Sequence, residues 1–109
     1  MAYDEVVAAR VRRALSGRRG VAEKHMFGGV VFMLHGNMCI GVEGERLMAR
    51  VGRDDYEATL DEPYVSPMDF TGKPLTGFVF VAPAGFVSDT DLGQWVARCV
   101  RYVETLPRK

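Results

Sequence analysis

Tyr3, Val7, Val11 and Ala14 recur at steps of three and four residues, laying one apolar stripe along a helix expected from about Tyr3 to Leu15. Asp4 and Glu5 suit the positive end of that helix, and Arg12 and Arg13 suit its negative end. Ser16 and Gly17 stop it, and "SGRRG" reads as a loop. The period then shortens. "VAEKHMF", from Val21 to Phe27, reads as extended, and Gly28 and Gly29 break it at a bulge or sharp turn. "VVFMLH", from Val30 to His35, is a continuous apolar run rich in residues that favour strands, the pattern of a strand buried on both faces. Gly36-Asn37 is a hairpin signal. "MCIGVE" alternates, placing Met38, Ile40 and Val42 on one face and Cys39, Gly41 and Glu43 on the other. After a second tight turn at Gly44-Glu45, "RLMARV" alternates again.

Gly52 introduces a short helix expected from about Asp54 to Glu62, with Tyr56, Thr59 and Leu60 inward and Pro63 as its stop. "YVSPMDFTGKPLTGFVFVAP" predicts a hairpin with a wide loop from Thr71 to Thr76, and Pro67 makes the strand near it either short or an edge strand. The last helix is expected from Asp89 to about Thr105. Ser88 is its cap and Asp91 completes an acidic capping box. Leu92, Trp95, Val96, Cys99, Val103 and Leu106 form its inner face; Gln94, Arg98, Arg101 and Glu104 form its outer one. The order is helix, three or four strands, helix, two strands, helix. Strands arriving in adjacent pairs are antiparallel, and the helices cover one face of their sheet. The expected fold class is α+β: a two-layer sandwich of three helices on a mainly antiparallel sheet of five or six strands, one domain over residues 1–109.

Composition narrows the setting. The chain has 109 residues, 48% hydrophobic and 26% charged, enough to bury a core without disulfide or metal. Fourteen basic residues balance fourteen acidic ones, giving a net charge of zero. That balance is unlike a strongly basic nucleic-acid binder and removes the self-repulsion that opposes homodimer formation. No apolar run has membrane-spanning length, and "MAYDEVVAARVRRAL" lacks the apolar stretch of a signal peptide, so a cytoplasmic location is expected. Cys39 and Cys99 then read as two buried thiols in a reducing compartment.

Candidate chemistry is sparse. His25 and His35 are placed near the first hairpin, where they can face each other. Cys39 and Glu43 offer no spacing that completes a zinc site, so no metal and no cofactor is expected. "MFGGVVF" lacks the dinucleotide fingerprint and leads into a strand, and "MDFTGKP" lacks the phosphate-loop pattern around Lys73. No triad motif arranges serine, histidine and aspartate. Two surfaces remain. One is a ligand or partner surface at Phe27, Gly28, Gly29, Arg50, Asp69 and Lys73, in which Asp69 pairs with Arg50 or bonds backbone in its loop. The other is a basic patch, Arg12, Arg13, Arg18 and Arg19, within the Arg10 to Lys24 region, without the interleaved aromatics that stack bases.

"KHMFGGVVFMLHGNMCIGV", "LMARVG" and "PMDFTGKPLTGFVFV" occur in order over Val21 to Pro83. In these segments the chain resembles the amino-terminal domain of the TfoX/Sxy competence-regulator family. The resemblance implies an α+β fold with an antiparallel sheet and a bacterial, cytoplasmic setting. In full-length members the domain belongs to a regulator that assists transcription of DNA-uptake genes. Those members carry a further carboxy-terminal helical domain, which this chain is expected to lack. Gly28, Gly29, Met68, Asp69, Phe70, Thr71, Gly72 and Gly77 match the family pattern as fold-defining positions, with no reaction attached. The leading expectation is a non-enzymatic regulatory module. It would contact a protein partner, such as a transcription regulator, through an exposed sheet face or edge strand. The alternatives are a nucleic-acid accessory protein using the Arg10–Lys24 region, and a small-ligand protein or enzyme with a pocket near Phe27–Gly29, Arg50 and Asp69.

Overall fold

The computed structural model describes residues 3–26, 28–69 and 72–109. In chain order the elements are α1 (Glu5–Ala14), β1 (Val21–Met26), β2 (Gly29–Leu34), β3 (Asn37–Glu43), β4 (Arg46–Arg50), α2 (Arg53–Leu60), β5 (Val65–Asp69), β6 (Pro74–Val81) and α3 (Asp89–Val103). A 3-10 turn, Pro83–Phe86, leads from β6 into α3. The strands form one six-stranded antiparallel sheet in the order β1-β2-β3-β4-β6-β5. This is the expected α+β architecture, with four strands before α2 and two after it.

Local chemistry sets the element ends. α1 starts at Glu5, two residues later than the pattern suggested, because the Asp4 carboxylate accepts hydrogen bonds from the Val6 and Val7 amides at 2.8 and 3.3 Å. Tyr3 instead makes a bridge to Gly44. At α3 the Ser88 hydroxyl accepts from the Asp91 amide at 3.0 Å, as a capping serine should. The wide loop expected from Thr71 to Thr76 is shorter, because β6 already begins at Pro74, which pairs with Asp69. Pro67 does lie on an edge strand, beside a register shift between Pro67 and Asp69.

The helices and the sheet enclose the main core. Val30, Phe32 and Leu34 of β2 meet Val7 and Val11 of α1, Leu92, Val96 and Val103 of α3, and Tyr56 of α2. β3 departs from simple alternation. A register shift pairs Phe32 with Ile40 but Met33 with Met38, which leaves Cys39 without an opposite residue. The bulge therefore turns Cys39 toward the helices together with Ile40, although the two were expected on opposite faces.

The other sheet face carries a second buried cluster, Val31, Met33, Met48, Met68 and Phe80, flanked by Met26, Met38 and Phe78. All six strands supply side chains to it and no helix does. Its large side chains pack on one another across the strands, Arg46 and Arg50 lie over the Phe80 and Phe78 rings, and Val31, Met33, Met48, Met68 and Phe80 are buried. An exposed sheet face was one of the two expected docking surfaces; on this face those five side chains are buried.

Gly29 shows how closely the strands are set. A side-chain carbon there would lie 2.0 Å from the Val42 carbonyl oxygen on β3, so the backbones meet where only hydrogen fits. Gly28 has φ +74° and open space around it, the requirement of a turn. Gly29→Ala is expected to cost about 3 kcal/mol, as an overpacked core site does, and Gly28→Ala about 1–2 kcal/mol for the left-handed backbone. Urea unfolding of both variants checks the order, which reverses if the strands can separate cheaply at Gly29.

Candidate functional site

The surface expected at Phe27, Gly28, Gly29, Arg50, Asp69 and Lys73 does not come together. Phe27 lies outside the described residues, as do Phe70 and Thr71 of the family pattern. Gly29 pairs with Met26 at one end of the sheet, where Val30 faces Val42, whereas Arg50 ends β4 at the opposite end. Asp69 and Lys73 flank the β5–β6 turn. Asp69 is not a neighbour of Arg50, because β6 runs between their strands, pairing Pro74 with Asp69 and Phe78 with Arg50. The Arg50 guanidinium instead donates to the Met38 carbonyl at 3.2 Å and lies 5.2 Å from the Phe78 ring and 5.7 Å from the Tyr102 ring. It is a clamp between strands and α3.

The basic region divides as well. Arg10 is drawn out of it, donating to the Phe86 and Val87 carbonyls at 2.9 and 3.1 Å and to Asp89 at 3.2 Å, which ties α1 to the start of α3. Arg12 makes a two-point bond to Glu23 at 2.7 and 2.8 Å. That bond holds the Glu23 carboxyl below the usual carboxylate range and raises the Arg12 guanidinium further. Arg13, Arg18 and Arg19 are exposed and form no ion pair among the described residues. The histidines do not face each other. His25 pairs with Val30 at one end of the hairpin, while His35 lies beyond Leu34 at the other, its amide donating to Gly20 at 2.9 Å. Among the described residues no three His, Cys, Asp or Glu side chains gather as a metal ion requires.

The structure assembles a constellation that sequence spacing did not single out. Arg98 of α3 grips Glu62 with both guanidinium arms, at 2.9 and 2.8 Å, and donates to the Thr59 hydroxyl at 3.1 Å. Its guanidinium lies 4.3 Å from the centre of the Trp95 ring, three residues earlier on the same helix. The Trp95 indole N–H donates to the Gly85 carbonyl at 3.3 Å, and Tyr64 packs beside Gly85. Clefts open on both sides of Arg98. One, of about 260 Å³, lies among Glu62, Tyr64, Gly85, Asp91 and Trp95; the other, of about 390 Å³, lies among Val51, Asp55, Arg101 and Tyr102. The Trp95–Arg98 step was legible in the helical period. Glu62 and Tyr64, more than thirty residues earlier in the chain, join it only through the packing of α2 and its following loop on the sheet.

Both cysteines are buried. Burial pushes the Cys39 thiol up to about 12 and raises the Cys99 thiol further, with nearby Cys39 adding to the shift. A thiol held protonated is a poor nucleophile.

The class these observations define is a two-layer α+β module whose arginines bind its elements to one another. The chain belongs to the TfoX N-terminal domain family, whose model matches residues 13–102. Membership suggests a regulatory role in competence, and the family is a regulatory type and not a known enzyme family. Comparison with curated proteins and with solved structures gave no match. No helix among the described residues is long and apolar enough to cross a membrane.

The thiols supply a direct check. In the folded protein at neutral pH neither Cys39 nor Cys99 should react with a thiol reagent on the timescale of a free cysteine, and both should react once guanidinium unfolds the chain. A fast-reacting thiol in the native protein would contradict the packing of α3 on β3.

Proposed function

We propose that this chain is a non-enzymatic regulatory module that binds a protein partner along the outer edge of β1, in a bacterial cytoplasmic setting. One observation carries the reading. β1 is a six-residue strand with a single sheet neighbour, it pairs with β2 along its whole length, and Ala22, Glu23, Lys24 and His25 are all exposed. The other edge is defended. β5 contains Pro67, is interrupted by a register shift and has α2 packed against it. An unbroken edge without proline offers its outward N–H and C=O groups to an extended segment of another chain. Lys24 and His25 favour an acidic segment there, because Glu23 is already paired with Arg12. Membership of a regulatory family supports a transcription regulator as that partner. A second copy of this chain is the other expected occupant, since a net charge of zero leaves no overall repulsion.

A second reading, contact with nucleic-acid phosphates, has one observation in its favour. The Lys109 amide donates to the His35 carbonyl at 2.9 Å and His35 donates to Gly20, which brings Arg108 and Lys109 toward the Arg18–Arg19 loop.

Cross-linked pull-down from cells that make the protein is expected to recover a transcription regulator. Hydrogen exchange on that complex should show slowed amides from Ala22 to His25. Slowing confined to other elements, or a clean monomer by light scattering with no partner recovered, would sink the first reading. Salt-sensitive binding of duplex DNA, lost when Arg13, Arg18 and Arg19 are changed to glutamate, would establish the second instead.

A further inference from the structure

We propose that the cleft between Tyr64 and Trp95 binds an alkyl guanidinium or ammonium group. Three elements build it: the loop after α2 supplies Glu62 and Tyr64, the Pro83–Phe86 turn supplies Gly85, and α3 supplies Asp91, Trp95 and Arg98. The space is about 260 Å³, a volume suited to one long side chain and not to a bulky cofactor.

Charge selects the ligand. Glu62 and Arg98 neutralise each other through their two-point bond. The Asp91 amide donates to the capping Ser88 hydroxyl, and the Asp91 carboxylate forms no ion pair among the described residues. Two carboxylates against one guanidinium leave the walls with one negative charge. The start of α3 carries a partial positive charge of about half a unit, smaller than the full charge of Asp91, and Asp89 there is balanced by Arg10, so a negative excess survives. Asp54, Asp55, Glu57 and Asp61, on and just after α2, outnumber Arg53 of the same helix and Arg101 of the adjoining cleft. An anion would meet the Asp91 carboxylate and an Arg98 whose charge Glu62 already balances. A purely apolar ligand would strip water from Asp91 without repaying it.

The aromatic walls favour the same chemistry. The indole already holds one guanidinium, that of Arg98, 4.3 Å from its ring centre. The Tyr64 ring stands at the mouth, 57% exposed, on a residue with φ +66° whose carbonyl accepts from the Ala82 amide at 2.8 Å. An exposed phenol beside an unpaired carboxylate offers a second cation both a ring face and a counter-charge. The aliphatic stem of an arginine or lysine would lie along Pro63 and Ala84.

The test exploits the single tryptophan of the chain, which is Trp95. Its fluorescence and its indole N–H resonance report on this cleft. Agmatine serves as the free-amine probe, N-acetyl-arginine methylamide as the peptide-like one, and glutarate as the anionic control. A saturable change with one or both guanidinium probes and none with glutarate is expected. The tighter probe identifies the source, a free amine or a partner's side chain. Asp91→Asn keeps the backbone cap and should weaken binding about five- to tenfold, the loss of one exposed ion pair strengthened by a ring. Tyr64→Asn keeps a residue that tolerates the left-handed backbone and should weaken it as well. No saturable response to either probe, an equal response to glutarate, or unchanged affinity in both variants would overturn the proposal. The β1 reading stands on other residues, so either can fail without the other.

Discussion

Every residue of β2, from Gly29 to Leu34, is buried, and the rest of the molecule is arranged to keep it so. Val30, Phe32 and Leu34 face the helices while Val31 and Met33 face the other way. Fully burying one such side chain contributes roughly 1.5–3 kcal/mol, so neither face can be left in water. Three helices meet the first demand. No helix covers the second face, where Val31 and Met33 pack with Met48, Met68 and Phe80, flanked by Met26 and Met38. An unbranched, adaptable thioether suits the irregular spaces between side chains of neighbouring strands.

Arginine covers part of that face. The Arg46 guanidinium lies 3.4 Å from the centre of the Phe80 ring, on the face that no helix covers, and Arg50 lies over Phe78 in the same cluster. These side chains spread apolar stems and a flat cation over aromatic rings while their heads still reach water or a carbonyl. Arg10, Arg12 and Arg98 do related work at the joints between helices and sheet. Two of the cations that read in sequence as a patch, Arg10 and Arg12, are thereby committed to contacts within the fold. Arg13, Arg18 and Arg19 stay exposed and form no ion pair among the described residues.

Much of the architecture was legible beforehand because it rests on short-range rules. Period-two and period-three-to-four patterns marked the strands and helices. Ser88 marked where α3 begins, Pro67 marked an edge, and the segments shared with the TfoX family ran in the right order. Asp4, which displaced Tyr3 from the start of α1, was a readable cap that the apolar stripe outweighed. The candidate site was far less legible. Arg50 and Asp69 looked like partners along the chain, but the insertion of β6 between their strands separates them.

The amino-acid sequence by itself determined the kind and order of the elements, since hydrophobic period, caps and breakers act over a few residues. Only the tertiary structure decided which faces those elements share. A bulge turned Cys39 inward, side chains from all six strands met in the methionine cluster, and the return of α3 across the sheet set Arg98 and Trp95 beside Glu62 and Tyr64. Strand order and helix placement depend on packing between residues far apart in the chain, and no local pattern encodes them.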